Sequence, residues 1–392
     1  IYTLSLHDAL PIYQPRLPNR TGISVFFVES FSDRYNKKSS EANMIRFNSD
    51  YTEGAHPEIL EALIRTNELQ SDGYGADPYC GAARTMIQTA CGDPDADVHF
   101  FVGGTQTNFT LIATALRPYQ SVLSAATGHI FVHESGAIEA TGHKCETLPT
   151  VDGKIRAADI EAKLEAHRAD ESFEHATQPK LVYLSQPTEL GTLYTRQELT
   201  KIRATCDRYD LFLYIDGARI VYALTSEKND ADLKTIARIA DAFYFGGTKA
   251  GLLFGEALII RSDTLKRDFR YIQKQRGGLL AKGRLLGVQF AALFEASLYE
   301  EIGRHANRAA DKIREALREM RVRFLVASPT NQIFPIFPDG LIRELREDFA
   351  LAYIQRVSES ESCVRICTSF ATRDEDVEAL IARVRSLLDK NR

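Results

Sequence analysis

The sequence predicts an α/β fold in which a mostly parallel sheet forms a large body and a smaller α+β unit follows it. Two observations lead to this fold class. Between about residues 98 and 260, short β-favouring runs alternate with helical patterns, which is typical of βαβ units in a parallel sheet. After residue 264 the alternation stops, long helices with charged faces follow, and residues 321–392 mix strands with helices.

The elements of the large body differ in the period of their apolar residues. Leu199, Ile202 and Cys206 recur at helical spacing, whereas residues 211–215 (LFLYI) form a continuous run typical of a buried strand. In chain order the sequence predicts a strand at 98–102, a helix at 105–116, a strand at 181–185, a helix at 196–209, a strand at 211–215, a helix at 233–239, and strands at 242–245 and 257–260.

The C-terminal part is predicted to contain strands at 322–327, 332–337 and 363–368, a short polar stretch at 342–347, and a helix at 373–388. At roughly 150 residues per domain, 392 residues correspond to two or three domains. We therefore expect a large domain at 44–284, connecting helices at 285–320 and a small domain at 321–392.

Residues 1–43 are expected to be a non-native or disordered extension. The chain begins at Ile1, its first methionine is Met44, and residues 1–12 resemble a translated sequencing adapter. The alternative is a targeting segment. Asp8 interrupts the apolar stretch and no basic region precedes it, so this alternative has less support.

Composition narrows the class of protein. The 48 basic and 53 acidic residues give a net charge of −5, so there is no basic surplus for nucleic acid binding. No apolar run approaches the ~20 residues that span a bilayer. The six cysteines contain no CxxC pair, which argues against a disulfide framework or a zinc site. These features predict a cytoplasmic enzyme without a metal or a membrane partner.

Three segments that can carry chemistry follow predicted strands, where open α/β sheets place their ligands. The first is residues 103–108 (GGTQTN), between a strand and a helix. Its glycines allow close approach of a ligand, and the free N–H groups at the helix start favour an anion such as phosphate. The alternative is a tight turn with Thr105 as N-cap.

The second segment is residues 216–219 (DGAR), and the third is residues 246–251 (GGTKAG). Asp216 could hold a ring nitrogen in its protonated form, or it could cap a helix. Lys249 lies among small residues beside apolar strands, so its pKa should fall and its amine could act as a nucleophile. The alternative is a solvated loop lysine.

Together the three segments supply the parts that pyridoxal phosphate requires. These are a phosphate site, a carboxylate for the pyridinium nitrogen, and a lysine for the Schiff base. Three such features in this order are improbable by coincidence, so the sequence predicts a pyridoxal 5'-phosphate enzyme.

At these residues the sequence resembles the threonine aldolase and aromatic amino acid β-eliminating lyase family of fold-type-I pyridoxal phosphate enzymes. The resemblance runs from about Met44 to the C-terminus and includes 73–78 (GYGADP) and the family's DGAR at 216–219. It implies a seven-stranded sheet, the Schiff base at Lys249, and His129 stacked on the pyridine ring, five residues before Glu134. Gly104, Thr105 and Gln106 would bind the cofactor.

The resemblance also implies the residues that meet the substrate. Arg365 would bind the α-carboxylate, with Ser49 and Tyr74 nearby, and Arg219 would lie near the cofactor's 3-hydroxyl. Family members assemble as dimers or dimers of dimers with active sites at the interface, so Lys282 is expected to reach a neighbouring subunit's phosphate. Tyr74 and Arg365 could instead be a core residue and a surface ion pair.

The chain departs from several threonine aldolases at 185–191 (SQPTELG), where Glu189 stands in place of a histidine near the substrate hydroxyl. The leading hypothesis is retro-aldol cleavage of a β-hydroxy-α-amino acid to glycine and an aldehyde. His129, Glu189 or a water could be the base. The alternatives are β-elimination or transamination on the same framework, and a non-catalytic α/β binding protein.

Overall fold

The computed structural model describes residues 44–390, so the expectation for residues 1–43 lies outside the described residues. The strands are β1 (Ile45–Arg46), β2 (Asp97–Phe101), β3 (Gln120–Ala125), β4 (Lys144–Leu148), β5 (Gln178–Ser185), β6 (Phe212–Asp216), β7 (Ala242–Gly246), β8 (Glu256–Ile260), β9 (Arg323–Phe324), β10 (Gln332–Ile333), β11 (Pro335–Pro338), β12 (Phe349–Ala350), β13 (Ala352–Arg356) and β14 (Glu361–Cys367).

Helices cover the strands and connect them. They are α1 (Pro57–Thr66), α2 (Pro78–Cys91), α3 (Gly104–Ala115), α4 (His129–Val132), α5 (Ala157–Ala169), α6 (Arg196–Tyr209), α7 (Ile220–Leu224), α8 (Leu233–Ile239), α9 (Asp263–Lys266), α10 (Phe269–Gln275), α11 (Arg284–Phe294), α12 (Leu298–Glu319), α13 (Asp339–Leu345) and α14 (Asp374–Lys390). Short 3₁₀ turns lie at Glu139–Thr141, Phe173–His175 and Glu295–Ser297.

A seven-stranded sheet in the order β2-β8-β7-β6-β5-β3-β4 forms the large body. Neighbouring strands are parallel except for β8, which runs antiparallel to both β7 and β2. All residues of β7 and β8 are buried, as expected for strands covered on both faces. The predicted mostly parallel seven-stranded sheet is confirmed.

A second, antiparallel sheet lies in the C-terminal part of the chain. Strand β14 pairs with β10, β11 and β13, and β11 also pairs with β9. Apolar residues of α12, α13 and α14 form the core cluster on this sheet. The predicted domain boundaries at 284/285 and 320/321 stay predictions.

The predicted elements of the large body agree with the structure to within a few residues, and helices 196–209 and 233–239 agree at both ends. In the C-terminal part three predictions were wrong. The strand at 322–327 is only Arg323–Phe324, and residues 342–347 fall largely in the helix α13. The strand at 332–337 divides into β10 and β11 because Pro335 has no N–H for the ladder.

No helix within residues 44–390 combines the length and apolar character needed to cross a membrane.

Candidate active site

A cavity of about 290 Å³ lies where β2, β6 and β7 end. Its wall includes Gly104, Asp216 and Lys249, one from each segment that the sequence analysis selected. Parallel strands bring their carboxyl ends to the same edge of the sheet, so segments that are distant in sequence meet there. His129 and Glu189 also line this cavity.

Helix α3 begins at the cavity with backbone groups exposed for a ligand. Gly103 is its N-cap in extended conformation, and no side chain caps the helix. The alternative in which Thr105 is the N-cap was therefore wrong, because Thr105 lies inside the first turn. A Cβ atom at Gly104 would stand 2.9 Å from the hydroxyl of Tyr244, so this position needs a glycine. The start of this twelve-residue helix can bind an anion.

Asp216 is held in one orientation by three hydrogen bonds. Its Oδ2 accepts from the hydroxyl of Tyr183 at 2.6 Å and from Nδ2 of Asn108 at 3.1 Å, and its Oδ1 accepts from the backbone N–H of Ala218 at 2.9 Å. It does not cap α7, whose N-cap is Arg219. Asp216 is 3% exposed, so a fixed carboxylate faces the cavity from the end of β6.

Lys249 is not the solvated loop lysine of the alternative. Burial lowers the pKa of its amine, and the nearby charge of Arg219 lowers it further, against the opposing effect of three surrounding carboxylates. Its Nζ lies 5.9 Å from the centre of the Tyr51 ring. A buried amine with a lowered pKa is a nucleophile near neutral pH.

His129 is oriented by a buried carboxylate. Its Nδ1 lies 2.8 Å from Oε1 of Glu134, and the same oxygen accepts a hydrogen bond from Nδ2 of Asn108 at 2.7 Å. Burial opposes the charge on the imidazole, but the hydrogen bond with Glu134 and the charge of Asp216 raise the pKa of His129 overall. Asn108 therefore connects the carboxylate behind the histidine with Asp216.

Glu189 lies beside the histidine at the cavity wall. Its Oε1 accepts from the hydroxyl of Ser185 at 2.6 Å and from the backbone N–H of His129 at 2.8 Å. Burial raises the pKa of Glu189, and the two hydrogen bonds only partly offset this. A carboxyl group with a raised pKa can exchange a proton closer to neutral pH.

Arg219 lines the cavity but its guanidinium is engaged by Asp50. Nε and Nη2 donate to the two carboxylate oxygens at 2.7 and 2.9 Å, and Asn331 adds a third hydrogen bond to this carboxylate. Although burial alone would raise it, the charges of Arg219 and Lys249 lower the pKa of Asp50 to about 2. This ion pair joins the start of the described chain to the end of β6.

Arg365 and Ser49 lie together, although neither side chain reaches the cavity wall. Arg365 donates from Nη2 to the carbonyl oxygen of Asn48 at 2.9 Å and from Nη1 to Gln332 at 3.2 Å. The alternative of an ion pair is not observed, because these partners are neutral. Nε of Arg365 and Oγ of Ser49 are buried without a hydrogen-bond partner among residues 44–390.

Three predicted site residues lie away from the cavity of this subunit. Gln106 donates from Nε2 to the carbonyl oxygen of Arg276 at 2.9 Å. Lys282 is exposed in the turn before α11. Tyr74 is 48% exposed, which excludes a core position, and Lys274 lies over its ring. Their predicted roles stay predictions.

The sequence analysis missed Glu256. This buried carboxylate lines the cavity and accepts hydrogen bonds from the backbone N–H of Gly247 at 3.2 Å and from the hydroxyl of Thr248 at 2.8 Å. The available signal was a glutamate directly before the apolar run ALII. It stood at the start of a strand rather than the end, and only the antiparallel direction of β8 brings it to this edge.

The described residues fit pyridoxal phosphate. Lys249 supplies an amine of lowered pKa, Asp216 a fixed carboxylate, and the uncapped start of α3 an anion site, all around one cavity. Within residues 44–390 no group of histidine, cysteine and acidic side chains is arranged to hold a metal ion.

Fold and site together define the class of this protein, a pyridoxal phosphate-dependent enzyme of fold type I. Solved structures of distant members share the architecture. An aspartate aminotransferase of Thermus thermophilus superposes with a TM-score of 0.66 at 14% identity, over 93% of this chain and 97% of that chain. At this identity the likeness concerns the fold alone.

The chain belongs to the beta-eliminating lyase family, whose model matches residues 46–338. A low specificity L-threonine aldolase of Pseudomonas aeruginosa is 31% identical over 309 residues, which are 77% of this chain and 84% of that protein. A threonine aldolase structure from Leishmania major superposes with a TM-score of 0.85 at 45% identity, over 88% of this chain and 99% of that chain. The protein is a pyridoxal phosphate-dependent lyase.

Proposed function

We propose that this enzyme cleaves the Cα–Cβ bond of β-hydroxy-α-amino acids of the threonine or phenylserine type, releasing glycine and an aldehyde. The observation that carries the proposal is one cavity that combines Lys249 and Asp216 with a buried acid, Glu189, in a chain similar to threonine aldolases. When bound, pyridoxal phosphate supplies a conjugated ring that accepts the electron pair of the broken bond.

Lys249 and Asp216 would hold the cofactor at its two reactive ends. Lys249 would bind it covalently through Nζ, because the lowered pKa leaves more of the amine neutral. Asp216 would accept a hydrogen bond from the protonated ring nitrogen, since its carboxylate is already fixed by Tyr183 and Ala218. The start of α3, at Gly104 and Thr105, would bind the phosphate.

Arg365 would bind the substrate α-carboxylate and so orient the bond to be broken. Its Nε is buried without a partner in the described part of the chain, as is Oγ of the neighbouring Ser49. Unsatisfied buried donors are costly, and a charged acceptor would satisfy both. Asn48 already holds the guanidinium in place through its carbonyl oxygen.

Glu189 is the favoured base for the β-hydroxyl proton. The raised pKa makes its carboxylate a stronger base than an exposed glutamate, and Ser185 and His129 fix its position. Glu134 raises the pKa of His129, so more of the imidazole already carries a proton and cannot accept another. His129 would instead contact the cofactor ring.

A second candidate function is β-elimination on the same framework. The description of the matching family, beta-eliminating lyase, favours it. That reaction breaks the Cα–H bond, and Lys249 would move the proton. It yields a keto acid and ammonia rather than glycine and an aldehyde.

Product analysis distinguishes the two functions. Purified enzyme loaded with pyridoxal phosphate is given threonine, allo-threonine, phenylserine, serine, cysteine and aromatic amino acids, with Lys249→Ala as the inactive control. Glycine and an aldehyde as main products support the proposal. A keto acid and ammonia as main products, with no aldehyde from any β-hydroxy substrate, would replace it with β-elimination.

We also propose a cytoplasmic homodimer or homotetramer with active sites at the subunit interface. The exposed positions of Tyr74 and Lys282 are compatible with contacts to a neighbouring subunit. Exposed apolar side chains at Leu60, Ile64 and Leu285 support an interface on this part of the chain. Light scattering of the purified enzyme tests this, and a monomer with full activity would refute it.

A further inference from the structure

Glu256 owes its place in the site to the one antiparallel strand of the large sheet. It is the first residue of β8, opposite Gly246 at the end of β7 and Phe101 at the end of β2. Those two strands lead into the turn of Lys249 and into the start of α3. Glu256 therefore stands between the lysine and the proposed phosphate site.

The carboxylate of Glu256 closes the turn that carries the lysine. One oxygen accepts from the backbone N–H of Gly247 and the other from the hydroxyl of Thr248, the two residues directly before Lys249. The N–H groups of Gly247 and Thr248 also donate to the carbonyl oxygen of Gly255 at 2.9 and 3.1 Å. Both ends of this turn are thus tied to the residue pair that begins β8.

The charges around the lysine leave Glu256 without a cation of its own. Asp50 is paired with Arg219, and Asp216 is bound by neutral donors. Within residues 44–390 no basic side chain lies within 4 Å of Glu256, and Lys249 is the cation whose charge acts on it. The charged or titratable groups that face the lysine or Glu256 are Arg219, Asp50, Asp216, His129, His133, Tyr214 and Tyr244.

We propose that Glu256 is a positioning residue that holds the Lys249 turn and supplies the counter-charge of the lysine nitrogen. This inference rests on the proposed pyridoxal phosphate chemistry of the same site. An anion near a basic nitrogen favours its protonated form. Removing the charge of Glu256 should therefore lower the pH at which the cofactor-bound lysine nitrogen loses its proton.

The test is a pH titration of the visible absorption of the holoenzyme, which reports the protonation of the lysine nitrogen independently of turnover. Glu256→Gln removes the charge and keeps one hydrogen-bond acceptor, so the midpoint should fall by about one pH unit. Glu256→Asp keeps the charge and should stay close to the wild type. Glu146→Gln is the matched control. This carboxylate also accepts hydrogen bonds from hydroxyl groups and lies outside the cavity, so its midpoint should not change.

The outcomes separate this role from the proposed function. An unchanged midpoint in Glu256→Gln overturns the charge role, and an equal fall in Glu256→Asp shows that disturbed geometry is the cause. If Glu256→Gln yields no folded holoenzyme, Thr248→Val removes a donor that stabilises the charged carboxylate. It should also lower the midpoint, and no change overturns the proposal. A wild type without a cofactor band contradicts the proposed function instead.

Discussion

Replacing Asp216 with asparagine tests the central electrostatic feature of the site. The carboxylate accepts three hydrogen bonds, from Tyr183, Asn108 and Ala218. Asparagine keeps one oxygen, which can accept from the N–H of Ala218. Its amide nitrogen then faces Nδ2 of Asn108, donor against donor, and Asn108 is prevented from turning over because its Oδ1 accepts from Tyr214 at 2.8 Å.

Two magnitudes follow from this geometry. One buried donor loses its partner, which should lower the free energy of unfolding by about 1–3 kcal/mol. The loss of a preorganised charge that stabilises the transition state should lower kcat at least ~100-fold. The fall in kcat should exceed any fall in cofactor affinity, because the start of α3 and Lys249 remain intact.

The assay combines urea unfolding, cofactor titration and steady-state kinetics on the best β-hydroxy substrate. Asp241→Asn is the matched control. Asp241 is a partly buried carboxylate directly before β7 that accepts hydrogen bonds from Arg203 and the N–H of Leu213, both at 2.7 Å. This control should lose stability but keep kcat within a few-fold. An Asp216→Asn enzyme with kcat near that of the wild type would refute the reasoning.

Three further variants test the remaining roles. Lys249→Ala should abolish turnover and the visible cofactor band that survives borohydride reduction and dialysis; a band that persists would exclude this lysine. Arg365→Ala should raise KM roughly 10- to 100-fold for every amino acid tested, through loss of a charge-assisted contact, and a selective effect would argue against carboxylate binding. Glu189→Gln should change the ratio of kcat/KM between threonine, allo-threonine and phenylserine. It should also remove the acidic limb of the pH profile, because the raised pKa of Glu189 means that the wild type gains activity as pH rises and this base loses its proton. Equal effects on all three substrates and an unchanged profile would make Glu189 a scaffold residue.

Much of the large body and its cofactor site could be predicted from local patterns. Strands β6 and β7 are continuous apolar runs followed at once by a polar or glycine-rich turn. Because carboxyl ends of parallel strands share one edge, the positions of Gly104, Asp216 and Lys249 followed from the order of elements alone. Strands β3 (QSVLSA) and β4 (KCETL) were missed because their polar residues hide the strand pattern.

Only the tertiary structure decided which distant groups meet. The pair of Asp50 and Arg219 joins residues 169 positions apart, and Arg365 reaches the carbonyl oxygen of Asn48 across 317 positions. Likewise, the side chain of Gln106 turns to Arg276 and away from the cavity. Such contacts depend on sheet order and packing, which no local pattern encodes.

Glu256 shows the division most clearly. The sequence by itself determined a glutamate before an apolar strand, and the strand was predicted at 257–260. Whether that glutamate lies in the site or at the opposite edge depends on strand direction. A parallel β8 would have placed it far from Lys249, whereas the antiparallel pairing with β7 and β2 brings it to the carboxyl edge. Strand direction is set by long-range hydrogen bonding and burial, so it appears only in the folded chain.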